Sequence, residues 1–256
     1  MNIREDAAQY YDLQTFPIDD VGFYLDRVPS PQSRILELGC GTGRVLIPLA
    51  RKRGYIHGID ASAAMLEICR EKLRAAGLPD SRVGLSQADV TDFQLDGLFD
   101  LIVAPFRVLQ NLEADAQVAG LLASIRWHLL PGGYAILNAF LPNRSLEEMR
   151  ATWCVPEEQL DAEIALPDGG RIVRTHRRPR LQADPLVVFP EIIYRRYSAV
   201  GALEHEAILK IAMRCWYPDD LVKLVEDHEF SVTKRWGGYA GEKWGAGPEL
   251  VIQFDK

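Results

Sequence analysis

At 256 residues, with 48% hydrophobic and 25% charged side chains and a formal net charge of −7, the chain suits one α/β domain carrying an insertion, or two small domains. That acidic balance argues against a nucleic-acid partner, and no apolar run approaches the roughly 18 residues of a membrane span, so no membrane partner is expected. The polar opening MNIREDAAQYYDLQ lacks the pattern of a signal peptide, and a cytoplasmic location is expected. Cysteines 40, 69, 154 and 215 are scattered, with no C-x-x-C and no close pairing with histidine, so neither a disulfide framework nor a metal site is expected.

Residues 4–14 read as a helix, and Asp19 or Asp20 as the cap of a second helix reaching about Val28, before the breaker Pro29-Ser30-Pro31. Residues 35–50, ILELGCGTGRVLIPLA, change period midway. Ile35, Leu36 and Leu38 suit a buried strand, while Val45, Leu46, Leu49 and Ala50 suit the buried side of a helix. Glycines 39, 41 and 43 stand at the change, where backbone must turn sharply and come close to a ligand. Tyr55–Asp60 (YIHGID) reads as a second strand that ends on an acid. A helix from Ser62, apolar at 65, 66, 68, 69 and 73, runs to about Ala76 and stops at Gly77 and Pro79. Strands near 82–87 and 99–104, a helix over about Ala114–Leu129 and a fifth strand ending near Phe140 continue the βαβ alternation. The pattern predicts a doubly wound parallel sheet with helices on both faces.

From about Arg144 the pattern changes. A short helical stretch precedes strand-like runs near 171–176, 186–197 and 203–215, turned by Asp168-Gly169-Gly170 and Val200-Gly201-Ala202. This is an antiparallel β insertion after the fifth strand. A helix over Tyr217–His228, with Pro218 in its first turn, and strands near 230–236 and 249–254 return the chain to the sheet. The expected organisation is an N-terminal helical lid (1–30), a core (31–143), the insertion as a substrate cap (144–215) and the C-terminal part of the core sheet (216–256).

The pattern E-x-G-x-G-x-G over Glu37–Gly43, with strictly alternating glycines, differs from the dinucleotide signature G-x-G-x-x-G. It resembles motif I of the class I S-adenosylmethionine (SAM) dependent methyltransferases. An acid at the end of the second strand, here Asp60, accepts from ribose hydroxyls in SAM and NAD sites alike. Val83–Phe93 (VGLSQADVTDF) resembles the family's adenine-binding turn, Phe99–Gln110 (FDLIVAPFRVLQ) its motif IV, and Leu130–Asn138 (LPGGYAILN) its Pro-Gly-Gly turn before the fifth strand. These segments cover about residues 30–142, and the wording PFRVLQNL resembles a bacterial small-molecule subgroup. The resemblance implies a Rossmann-like, mostly parallel seven-stranded sheet whose last strand is antiparallel, and SAM as cofactor, leaving as S-adenosylhomocysteine (SAH). It implies that Glu37 takes the ammonium of SAM, the backbone of Gly39, Cys40, Gly41 and Gly43 its methionine part, and Asp60 its ribose. Ala61, Met65 and Pro105 complete the implied cofactor site; Asp89 would accept from the adenine amine, and the Val90 N–H would face the ring. Read without the resemblance, the glycines are a tight turn and Asp89 a turn or cap residue.

A sulfonium methyl is already activated, so the protein's task is alignment, and the expected acceptor is a nitrogen or oxygen of a small molecule. No obligatory base stands out. The candidates on the acceptor side are Tyr11, beside Tyr10 in a YYD element, Arg107 and Gln110 after the fourth strand, and His176 and His205 in the insertion. Tyr239 and Trp244 lie in a Gly-rich loop, and His128 reads as an exposed helix position. The stretch RIVRTHRRPR (171–180) holds five arginines and a histidine; it reads as a solvated, charged strand edge, with RNA binding as the sharper alternative. Alternative functions are an RNA or protein methyltransferase using those arginines, an NAD(P)-dependent oxidoreductase, and a catalytically silent SAM-binding protein. The oligomeric state is open between monomer and homodimer.

Overall fold

A computed structural model describes residues 8–13, 18–52, 54–79 and 81–256 of the chain. They divide into two compact units: one comprises residues 8–13 with Arg144–Arg214, the other residues 18–143 with Cys215–Lys256.

The larger unit is built on a seven-stranded sheet. Its strands are β1 (Arg34–Leu38), β2 (Tyr55–Asp60), β3 (Val83–Gln87), β4 (Phe99–Ala104), β5 (Leu129–Phe140), β11 (Ser231–Trp236) and β12 (Glu249–Asp255). They run in the order β11-β12-β5-β4-β1-β2-β3. Strands β1 to β5 are parallel to one another, whereas β12 is antiparallel to both β5 and β11. Helices cover both faces, and the period-2 alternation of the strands divides the core between them. Leu36 and Leu38, Ile102 and Ala104, and Leu250 and Ile252 pack with helix α4 (Asp115–His128) and helix α6 (Pro218–Asp227). Ile35, Leu101, Val103 and Val251 pack on the other face with α1 (Val21–Leu25), α2 (Leu46–Lys52) and α3 (Ala63–Ala75). Each such fully buried aliphatic side chain contributes about 1.5–3 kcal/mol.

The helix ends follow local chemistry. Ser62 caps α3 by accepting from the Met65 N–H at 3.2 Å, and the stripe Met65, Leu66, Cys69, Leu73 faces the core. Pro218 opens α6, with Asp219 and Asp220 in its positive first turn.

The smaller unit is an antiparallel sheet of β6 (Val155–Ala165), β7 (Arg171–Ala183), β8 (Leu186–Tyr197), β9 (Leu203–Lys210) and β10 (Met213–Arg214), preceded by α5 (Leu146–Thr152). Strands β6, β7 and β8 are consecutive, while β9 and β10 pair along one edge of β8. Ser145 and Glu148 close a reciprocal capping box on α5. Residues 8–11 are helical, and Tyr10 packs with Ile172, Tyr194 and Ala207 on this sheet. Asp12 and Leu13 form a turn that ends this helix, and residues 4–7 and 14 of the expected 4–14 helix lie outside the described residues.

The structure corrects several details. Strand β6 stands where the sequence shows only an acid-rich stretch; it is largely exposed and owes its conformation to pairing with β7. The Pro131-Gly132-Gly133 turn does not precede β5 but bulges from within it: Phe99 pairs with Leu129 and Leu101 with Tyr134. The second helix ends at Leu25, and Asp20 makes no side-chain cap to it because its carboxylate is bonded to Arg44.

Candidate active site

Strands β4, β1, β2 and β3 are neighbours, and their carboxyl ends carry the residues singled out in the sequence. Glu37 lies opposite Gly58 and Val103, Asp60 opposite Gln87, and Pro105 follows β4 directly. In a doubly wound sheet this edge, where the strand order reverses between β1 and β4, is where small ligands bind.

The glycine turn begins as β1 ends. Gly39, Gly41 and Gly43 all have positive φ (66°, 53° and 88°). A Cβ on Gly39 would lie 2.7 Å from Val108 Cγ2, so the glycine allows the loop after β4 to press on the turn. A Cβ on Gly41 would meet nothing within 4 Å. The turn is therefore open at its middle glycine, where a ligand has room to approach. Cys40 N–H donates to Ile59 O at 2.9 Å, tying the turn to β2.

Asp60 is buried. Its Oδ2 accepts from the Gly41 N–H and its Oδ1 from the Ser62 N–H, both at 2.9 Å. Each oxygen has two lone pairs, so both retain acceptor capacity. Glu37 is 2% exposed, and its Oε2 has no hydrogen-bond partner. Burial pushes its carboxyl well above the usual carboxylate range, with the charge of Arg44 working against that rise. Arg44 itself is committed to the fully buried Asp20, its Nη2 donating to Oδ2 at 2.8 Å. A buried carboxylate oxygen without a partner, beside an open glycine turn, suits a cationic ligand group. Met65 and Pro105 are buried nearby in sequence and strand order, while Ala61 is exposed.

Asp89 is exposed, and its Oδ1 accepts from Thr91 N–H (2.9 Å) and Thr91 Oγ1 (2.8 Å), an Asx turn that sets the loop holding the half-buried Val90.

The loop after β4 carries a network that the sequence did not disclose. Phe106 and Arg107 both have positive φ (55° and 68°) without being glycine. Arg107 forms an ion pair with Glu249, its backbone N–H donates to Asn138 Oδ1 at 2.9 Å, and Asn138 Nδ2 donates to Glu249 Oε2 at 3.0 Å. Gln110 Oε1 accepts from the Phe140 N–H at 2.7 Å. Arg107 therefore holds an internal carboxylate, and Gln110 a strand amide. Asn138 lies inside β5 and Glu249 opens β12, far away in sequence; the one local signal was a polar residue within apolar β5.

In the smaller unit His176 Nδ1 meets Asp161 Oδ1 at 2.6 Å, and His205 Nδ1 meets Tyr10 OH at 2.7 Å. Tyr10 stacks on Tyr194 with ring centroids 5.4 Å apart, and Tyr11 is half-buried. The 171–180 arginines are engaged within the sheet. Arg171 pairs with Glu163, Arg174 with Asp161 and Arg177 with Glu191, while Arg178 and Arg180 lie over the rings of Trp153 and Phe189. His128 is not exposed. It is 1% accessible, stacks on Phe93, donates from Nδ1 to Ser124 O and accepts at Nε2 from the Leu95 N–H. Those two bonds fix its neutral tautomer and make it a core residue. Among the described residues no group of three or more His, Cys, Asp or Glu could hold a metal, and no helix is long and apolar enough to cross a membrane.

Residues 35–133 match the family model described as a methyltransferase domain. The dTDP-3-amino-3,4,6-trideoxy-alpha-D-glucopyranose N,N-dimethyltransferase of Streptomyces venezuelae is 28% identical over 158 residues, covering 60% of this chain and 58% of that protein. The carboxy-S-adenosyl-L-methionine synthase of Shewanella frigidimarina is 31% identical over 152 residues, covering 58% of this chain and 60% of that protein. The match thus spans about 60% of the length of these two relatives. A solved S-adenosylmethionine-dependent methyltransferase from Clostridium acetobutylicum superposes over 97% of this chain and 95% of its own, with a TM-score of 0.75 at 14% identity, which is a likeness of fold.

Proposed function

We propose that this chain, whose residues 35–133 match a methyltransferase domain, is a class I SAM-dependent methyltransferase that transfers a methyl group to a nitrogen or oxygen of a small-molecule acceptor. The observation that carries this reading is the buried Glu37 carboxylate with an unpartnered oxygen beside the open glycine turn. SAM fits there: its ammonium supplies the charge that Glu37 lacks, and the sulfonium supplies an activated methyl group.

On this reading Glu37 orients the amino-acid end and the backbone of Gly39, Cys40, Gly41 and Gly43 lies along it. Asp60, already fixed by two backbone N–H groups, accepts from the ribose hydroxyls with its remaining lone pairs. Ala61 and Met65 lie beside the ribose. Asp89 takes the adenine amine through its carboxylate, the Val90 N–H faces the ring, and Pro105 closes the wall. Rigid alignment of this kind is worth on the order of 7–11 kcal/mol when two reactants are held in line. The relative from Streptomyces venezuelae is named for methylation of an amino sugar nucleotide, which favours an amine as acceptor. An ammonium group gives its proton to solvent to become the neutral nucleophile, and the methylated ammonium sheds a proton to solvent after transfer, so transfer needs no dedicated base. We assign acceptor recognition to the insertion, residues 144–215, because the sequence there departs from the cofactor-binding pattern.

The test is incubation with methyl-labelled SAM and a panel of amine and hydroxyl acceptors that includes amino sugar nucleotides. The expected result is one labelled product with stoichiometric SAH. SAH binding with no labelled product across the panel would leave a silent binding protein and overturn the enzymatic reading.

A further inference from the structure

The loop that follows β4 holds two consecutive non-glycine residues, Phe106 and Arg107, in the left-handed region. A strained backbone of this kind persists only where its surroundings over-determine it. Here they do so through one residue. The Arg107 N–H donates to Asn138 Oδ1 (2.9 Å), and its carbonyl accepts from the Gln110 N–H (3.0 Å) and from Asn111 Nδ2 (3.1 Å). Its guanidinium is paired with Glu249, which is 3% exposed. Asn138, fully buried, joins the two halves by accepting from the loop and donating to Glu249 Oε2 at 3.0 Å. Glu249 and Phe140 are register partners across β12 and β5, and the Phe140 N–H is held by Gln110 Oε1 at 2.7 Å. The strained loop is thereby bolted to β5, which neighbours β4, and to β12 beyond it.

What the bolted loop presses against gives the network its meaning. Val108 stands where a Cβ on Gly39 would be, 2.7 Å from its Cγ2, and the Phe106 ring lies 5.4 Å from the Arg44 guanidinium at the far end of the glycine turn. The loop and the glycine turn are fitted to one another at both ends of the turn. A relaxed loop would no longer press on Gly39 and would widen the cradle.

We propose that Arg107, Asn138 and Glu249 are positioning residues for the cofactor: they hold the loop after β4 in its left-handed form so that it walls the glycine turn at the width SAM and SAH require. The inference rests on the SAM reading of that turn, and none of the three residues is among the cofactor contacts proposed above. Glu249 and Asn138 act through Arg107, and Arg107 through the backbone of residues 105–108. A lysine at 107 keeps the charge but not the fork that spans both Glu249 oxygens.

The experiment is calorimetric titration of SAH into the wild-type chain and into Glu249→Gln, Asn138→Ala and Arg107→Lys, paired with amide hydrogen exchange of the peptide covering 105–111. The expected result is a five- to fifty-fold loss of SAH affinity and at least tenfold faster exchange in that peptide for each variant. Phe254→Leu, a core change on another part of β12, serves as a control: at equal or greater loss of thermal midpoint it should leave SAH affinity within twofold. Faster exchange with unchanged SAH affinity would make the network merely structural and overturn the proposal, as would unchanged exchange in the 105–111 peptide. Should any variant fail to fold, Arg107→Lys, at a partly exposed position, carries the test by itself. No SAH binding by the wild-type chain would instead refute the SAM reading, and the proposal with it.

Discussion

Replacing Glu37 by glutamine sets stability and cofactor binding against each other, because burial makes this carboxyl costly to the fold and valuable to a cationic ligand. The group is fully enclosed, one oxygen lacks any partner, and desolvation is the largest influence on its proton affinity. Leaving a buried polar group unsatisfied costs about 1–3 kcal/mol, more when it is charged. A neutral isostere should therefore stabilise the unliganded protein by roughly that amount, or about 2–12 °C in thermal midpoint at ~2–4 °C per kcal/mol. The same change removes a hydrogen bond to a charged group, worth about 1.5–3 kcal/mol, and SAH affinity should fall about 10- to 150-fold. The pH dependence has a definite sign. The folded-state proton affinity of Glu37 is raised above its ordinary value of 4.5, so its contribution favours the fold below that pH and is lost as pH rises toward the folded-state value. Binding a cation requires the anionic form, so wild-type binding should release a proton and tighten with rising pH, whereas Glu37→Gln should show neither effect. Scanning calorimetry and SAH titration in two buffers of different ionisation enthalpy measure both quantities. A variant that is less stable than wild type, or that binds SAH equally well, would refute the reasoning.

Three further outcomes follow from the geometry. Gly39→Ala and Gly41→Ala each force alanine into the left-handed region at about 1–2 kcal/mol, but only Gly39 adds a clash, with Val108 at 2.7 Å, and should lose a further ~1–3 kcal/mol in urea denaturation. His128→Ala strips a buried ring of its stack on Phe93 and of both its hydrogen bonds; it should cost about 2–4 kcal/mol while leaving SAH affinity unchanged, since the ring is part of the core. The Arg195 guanidinium, bonded to both Glu158 oxygens, holds that carboxyl down at about 2. Its stabilisation is present above the ordinary value of 4.5 and lost as pH falls toward 2, so Glu158→Gln should flatten acid unfolding in that window by about 1 kcal/mol or less, the pair being partly exposed.

The strands and the glycine turn of residues 35–60 were legible because their signals are local. Ile35–Leu38 followed by alternating glycines declares a strand, a turn and a helix within sixteen residues, and Asp60 closes a second strand in the same way. The Arg107, Asn138 and Glu249 network was not legible, since three residues separated by 31 and 111 positions meet only once β5 and β12 pair. Arg107 therefore read only as a candidate on the acceptor side. His128 misled for a related reason: its helix position is polar by type, and only the bond it accepts from the Leu95 N–H, 33 positions away, shows that it faces inward. Strand β6 has no apolar alternation of its own and is extended because β7 supplies its partners. Asp20 stands where a helix cap belongs, yet its buried carboxylate has a stronger partner in Arg44 than any backbone amide would be.

The account turns on what the glycine turn and Glu37 hold, and equilibrium titration of the wild-type chain with SAH and, separately, with NADH measures that most directly. The account predicts saturable SAH binding that weakens in Glu37→Gln, and no NADH binding. Saturable NADH binding without affinity for SAH would contradict it.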